Sequence, residues 1–194
     1  MSATSLHTSA RTTLTAWQAP DPEQDSLRHT YLAFLDAAPN GCLRASEPGH
    51  ITGSAIVFDA TLRHVLLTLH PRVGRWIQLG GHCEESDETL RDAAAREAHE
   101  ESGLPDLTVT ADPVHLHTHP ITCSLGLPTR HLDVRFAAVA APTADGTPPP
   151  PVLSDESVDL AWWPVDALPP DTDTVDVPVL INRGLAACRA TGLG

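Results

Sequence analysis

Residues 80–104 read GGHCEESDETLRDAAAREAHEESGL, and the fold of the whole chain turns on how they are read. The pattern predicts a helix. Ser86 or Asp87 can cap its N-terminus, and acids crowd the first turn, where the positive end of the helix dipole favours them. Leu90, Ala94 and Ala98 recur every fourth residue and make a narrow apolar stripe for burial. Gly103 stands where a left-handed C-cap residue belongs, and Pro105 forbids continuation.

On that helix Glu97, Glu100 and Glu101 are spaced i, i+3 and i+4, so they share a face. Like charges so placed cost roughly 0.2–0.5 kcal/mol per pair. A fold has no local reason to gather them. A hard divalent cation supplies one, because it takes several oxygen ligands in close array. Gly80 and Gly81 let the backbone turn tightly and bring the Gly80 carbonyl toward the same face. Taken alone, Glu97-Ala98-His99-Glu100-Glu101 also fits a solvated acidic helix flank.

The stretch does not stand alone. Two glycines, an acid five or six residues on, and then REAHEESGL follow in fixed order. This resembles the Nudix box: Gly, five residues, Glu, seven residues, Arg-Glu, an aliphatic, any residue, Glu-Glu, any residue, Gly, an aliphatic. There is one residue too many between the glycines and the helix. Counted back from Arg96, the box acid is Glu88 and the box glycine falls on His82; counted forward from Gly81, the acid is Asp87. Both alternatives stay open at this point.

The resemblance implies an α/β fold, an α/β/α sandwich around a mixed β-sheet. It implies Mg²⁺ as cofactor, with Mn²⁺ the alternative, held by Glu97, Glu100, Glu101 and the Gly80 carbonyl. It casts the three glutamates as catalytic acids and Arg96 as the ion-pairing residue that holds them in place. It also implies a further acid from a late loop. Glu156, beside Asp155, is the candidate, against simple turn chemistry for a Ser-Asp-Glu-Ser corner.

Composition bounds the rest. With 194 residues, 41% hydrophobic and 19% charged, the chain suits one domain with a full core. No apolar run approaches a bilayer span. Residues 1–17 hold no continuous apolar segment of the secretory kind, which points to the cytoplasm. A net charge of −13 argues against a nucleic-acid partner but not against a small phosphorylated substrate, because bound cations invert the local field. All twelve basic residues are arginines, and nothing functional is read into that. Cys42, Cys83, Cys123 and Cys188 form no CxxC pair, which speaks against a zinc ribbon or disulfide scaffold.

Along the chain, residues 1–20 read as a poorly ordered Thr/Ser-rich lead-in, with Trp17 able to dock. Residues 21–194 read as a single domain with an added N-terminal helix at 21–38 and a core over about 51–190. Residues 51–59 and 64–70 suggest a hairpin, 107–119 and 131–140 further strands, 160–164 a short strand, and 177–190 a last helix. Residues 142–151 read as a mobile loop.

Outside the box, His131, Asp133 and Arg135 alternate on one strand face and are candidates to line the substrate, with a solvated face as the plainer reading. Arg72 and Arg75 flank the glycine loop and can hold phosphate oxygens. His82 is placed to touch substrate. His115, His117 and His119 alternate too; such a row can bind a transition metal, but a polar edge or pocket wall accounts for it.

The function so implied is hydrolysis of the diphosphate in a nucleoside diphosphate linked to a group X. Two alternatives use the same fold: a nucleotide sensor without turnover, which has no need of intact glutamates, and an isoprenoid-diphosphate isomerase, which wants a degenerate box. The partner is a small nucleotide-type diphosphate; a homodimer stays open. Loops outside the box choose the substrate, so neither X nor the nucleoside is named by it.

Overall fold

The computed structural model describes residues 3–122, 126, 128–154 and 157–194. Its spine is strand β1 (His50–Phe58), buried along its whole length. β7 (Pro128–Ala140) runs parallel to it, with His50 opposite His131 and Phe58 opposite Val139. The other side of β1 is shared. β4 (Leu79–His82) pairs antiparallel with residues 52–55, and β2 (His64–His70) with Val57 and Phe58. β3 (Arg75–Ile77) and β8 (Asp159–Pro164) pair with β2, while β5 (Leu107–Val109) and β6 (His115–Thr122) pair with β7. The result is one curled, mixed, eight-stranded sheet between helices, the α/β sandwich expected.

Parity along β1 sorts the two faces, since successive side chains point to opposite sides. On one side Gly53 lies against Ala93 and Ala94 of helix α3 (Leu90–Ser102). α3 buries Leu90, Ala94 and Ala98, the stripe read from sequence. On the other side Ile56 and Phe58 pack with Leu180, Ile181 and Leu185 of α4 (Asp176–Thr191). Gly184 lets α4 approach closely, because a Cβ there would stand 2.8 Å from the Phe58 ring.

The lead-in departs from expectation. It is helix α1 (Ala3–Ala16), and Leu6, Ala10, Leu14 and Trp17 are buried in the core shared with α3 and helix α2 (Pro22–Ala37). The i, i+4, i+8 spacing of Leu6, Ala10 and Leu14 is helical, and burial of that stripe overrides the modest helix propensity of Ser and Thr. α2 also caps the outer side of β6. Gln24 donates from Nε2 to the Leu116 carbonyl (3.0 Å) and accepts at Oε1 from the Leu116 amide (2.7 Å).

Two further differences are local. The strand expected over 107–119 is broken between β5 and β6, where Asp112-Pro113 interrupts pairing. The loop over 142–151 is tied down at one point, where Trp162 donates from Nε1 to the Pro149 carbonyl at 2.8 Å. Among the described residues no helix is long and apolar enough to cross a membrane.

Candidate active site

The segment between β4 and α3 arranges the site. The N-cap of α3 is Thr89, whose hydroxyl accepts from the Asp92 amide at 3.1 Å, rather than the expected Ser86 or Asp87. Asp87 is instead buried and pairs with Arg96 through two bonds, Nε to Oδ1 and Nη2 to Oδ2, both 3.0 Å. Glu88 is exposed. The extra residue therefore lets the chain pass the cap while Asp87 turns inward, and Asp87 fills the place of the first acid beside the arginine.

Arg96 makes three further bonds: to the His82 carbonyl (2.8 Å), to Glu97 Oε1 (3.1 Å) and to Glu100 Oε2 (3.0 Å). One guanidinium thus ties β4, the connecting segment and two glutamates of α3, and its charged form is favoured first by the bonds to Asp87. Part of the repulsion among the glutamates is answered by this cation. Gly103 ends α3 in the left-handed conformation expected, with φ 65°.

Glu97, Glu100 and Glu101 converge on one cleft of about 360 Å³, with Gly81, His82 and Arg96 in its wall. The two glycines act differently. Gly80 has φ 146°, and its amide donates to Glu101 Oε2 at 3.1 Å. Gly81 lies so close to α3 that a Cβ would stand 2.6 Å from Glu97 Oε2. Arg44, Glu84 and Ser154 complete the wall. Arg44 sits in a turn-rich segment and Ser154 in a stretch without regular structure, and sequence reasoning missed both.

The donor set in the cleft is carboxylate oxygen, which suits Mg²⁺ or Mn²⁺. Among the substrate candidates, His82 lines the cleft and Arg72 and Arg75 do not. Arg75 is exposed and pairs with Asp173 at 3.3 Å. Asp133 and Arg135 are buried under the sheet face that His131 shares. Asp133 accepts from Ser54 (2.6 Å), Thr52 (3.0 Å) and Arg135 Nε (2.6 Å). Burial alone would raise the Asp133 carboxyl, but Arg135 and the two hydroxyls hold it below its usual value. Arg135 also pairs with Asp176 at 2.7 Å and donates to His117 Nδ1 at 2.9 Å. These two residues form a satisfied polar layer behind the histidine row. Asp155, Glu156 and Cys123 lie outside the described residues; Cys42, Cys83 and Cys188 are free and buried.

The NUDIX domain family model matches residues 48–182. Among solved structures, a NUDIX-family hydrolase from Clostridium perfringens is similar with a TM-score of 0.52 at 22% identity, covering 73% of this chain and 97% of that one. A C. elegans Ap4A hydrolase binary complex gives 0.53 at 18% identity, covering 72% and 98%. The E. coli dihydroneopterin triphosphate pyrophosphohydrolase gives 0.53 at 19% identity, covering 69% and 92%. At these identities the likeness concerns the fold. No curated relative matches the chain in sequence.

Proposed function

Since the chain belongs to the Nudix family, we propose that it is a metal-dependent hydrolase cleaving the phosphoanhydride bond of a nucleoside diphosphate linked to another group. The observation that carries this is the convergence of Glu97, Glu100 and Glu101 on one cleft around Arg96. The family's hydrolases act in general on nucleoside diphosphates linked to X. Two of the similar structures are an Ap4A hydrolase and a dihydroneopterin triphosphate pyrophosphohydrolase, so dinucleoside polyphosphates and pterin or nucleoside triphosphates head the substrate panel.

Glu97, Glu100, Glu101 and the Gly80 carbonyl would hold Mg²⁺ or Mn²⁺. When bound, such an ion polarises phosphoryl oxygens and neutralises charge on the leaving oxygen. The chain's own part is positioning. Arg96 keeps Glu97 and Glu100 from splaying under mutual repulsion, and the Gly80 amide fixes Glu101. One of the cleft carboxylates, or Glu156, orients the attacking water and accepts its proton at a carboxylate oxygen. Of the substrate-side candidates His82 borders the cleft, and Arg72 would have to reach the phosphates from outside its wall. His131 is kept as a candidate for substrate contact, Asp133 and Arg135 as support beneath it, and Arg75 is engaged with Asp173 outside the cleft wall. The substrate is a small cytoplasmic nucleotide, not a nucleic acid, in keeping with the net charge of −13.

The test is phosphate release over that panel, with and without Mg²⁺, for wild type and Glu101→Gln. Turnover that needs the ion and is lost in the variant is expected. Turnover of no nucleotide in the panel, or full turnover by the variant, would refute the reading.

A further inference from the structure

Strand register brings together three histidines that lie far apart in sequence. His50 on β1 stands opposite His131 on β7, and Thr52, two residues along β1 on the same face, stands opposite His82 on β4. Side chains on a sheet alternate, so all three rings project to one side at one end of the sheet. Their ring centroids are 4.9–5.1 Å apart. One ring nitrogen from each lies within 4.8 Å of the other two.

The central ring is already oriented. His50 is 1% exposed, and its Nδ1 donates to the Ser46 carbonyl at 3.3 Å. That bond places the lone pair on Nε2, which is buried and has no hydrogen-bond partner among the described residues. A buried acceptor left unmatched costs about 1–3 kcal/mol. A backbone carbonyl on the far nitrogen is also the usual way a metal-binding imidazole is held in its tautomer. Burial first, then His50, Arg44 and Arg72, push His82 down to about 4, and burial first, then the His82, His50 and His119 rings, push His131 to about 3, so both are neutral at physiological pH, the state that ligates a metal.

We propose that His50, His82 and His131 form a three-histidine site for Zn²⁺, separate from the carboxylates of the cleft. Nitrogen donors favour a borderline transition ion where oxygen donors favour Mg²⁺, so the two sets select different metals a few residues apart. Zinc–nitrogen bonds of about 2.0–2.1 Å require nitrogens about 3.3 Å apart. From separations of up to 4.8 Å the rings close by at most about 1.5 Å, which the half-buried side chains of His82 and His131 can supply. Three protein nitrogens leave a fourth position for water or an anionic oxygen. The ion also clamps β4, β1 and β7 together.

The row His115, His117 and His119 does not converge in this way. Its rings stack at 5.6 and 6.3 Å, and His117 Nδ1 already accepts from Arg135.

Full-length protein stripped with a chelator is titrated with Zn²⁺ under excess Mg²⁺ against a chromophoric competitor, and with Co²⁺ as a visible probe. One ion per chain is expected. His82→Gln and His131→Gln should each weaken binding by more than about 100-fold, since losing only an outer-shell partner of a ligand costs roughly 10–100-fold. Both should lose the Co²⁺ ligand-field bands. Glu101→Gln and His117→Gln should keep them. Circular dichroism of the zinc-free variants checks the fold, and His50→Gln serves if either of the two fails it. Absence of stoichiometric binding, full binding by the His82 and His131 variants, or its loss in Glu101→Gln or His117→Gln would overturn the assignment.

Discussion

Gly81→Ala should inactivate the protein while leaving it folded. A Cβ at residue 81 would stand 2.6, 2.7 and 2.9 Å from Oε2, Cδ and Oε1 of Glu97. Ordinary contact begins at 3.4 Å, so the carboxylate must retreat by about 0.8 Å (3.4 − 2.6). It can do so, because all three atoms belong to the end of a flexible side chain. Gly81 has no left-handed backbone, so alanine itself fits there. The chain gains about 0.4–1 kcal/mol from reduced unfolded-state entropy. Disturbing the Arg96–Glu97 pair costs up to about 1 kcal/mol. Stability therefore stays within about 1 kcal/mol, or roughly 2–4 °C in Tm. Turnover should fall on the order of 100-fold, the cost of a misplacement near 1 Å.

Gly80→Ala is the control. Here φ is 146° and the Cβ would lie 2.5 Å from the Ser54 Cα, a backbone atom of the central strand that cannot yield. Strain alone costs about 1–3 kcal/mol, and the collision adds to it. Thermal melts and phosphate-release rates of both variants decide the matter. Wild-type turnover by Gly81→Ala, or a loss of stability equal to that of Gly80→Ala, would refute the reasoning.

Asp87→Asn should lower stability by about 1–3 kcal/mol by breaking a buried two-bond pair, while Glu88→Gln stays within about 0.5 kcal/mol; urea unfolding compares them. Mg²⁺ at a hundredfold excess over its Kd should stabilise the wild type by about 2.7 kcal/mol, and Glu101→Gln should abolish that rise in thermal melts; a full rise in the variant would show that the glutamate holds no ion. His115, buried below Arg135 and Arg183 with Asp176 and His117 nearby, is pushed down to about 4 by burial first and the arginines second. Between about pH 6.5 and 4 the unfolded chain binds its proton and the folded chain does not, so stability rises with pH there and is lost as pH is lowered, at up to ~1.4 kcal/mol per unit. His115→Gln should remove that much slope from the urea-derived stability curve, and an unchanged slope would exclude the assignment.

Helix α3 is legible because its determinants are local: an apolar stripe, a glycine stop and charges at fixed spacing. Its N-cap was misread because Ser86, Asp87 and Thr89 all suit the role, and only the distant Arg96 shows that Asp87 is engaged elsewhere. The α1 helix escaped notice because its apolar positions are few and set among Ser and Thr. β3 and β4, at three and four residues, are too short to carry a pattern of their own. His50, His82 and His131 have no sequence relation at all. Register alone unites them, and register is the part of a sheet that one chain read in order does not display.

Helix α2 and its Gln24 have a consequence beyond the fold. A strand edge with unpaired amides and carbonyls invites another chain to add to it. Gln24 occupies both groups of Leu116, so β6 is closed to a second copy at that point. Self-association through the sheet must then use another edge. A chain shortened to begin after α2 would keep the whole Nudix box and yet bare this edge together with the apolar floor beneath α1. Its failure would be one of solubility, with fibrous or amorphous aggregation setting in before any defect in chemistry could be measured.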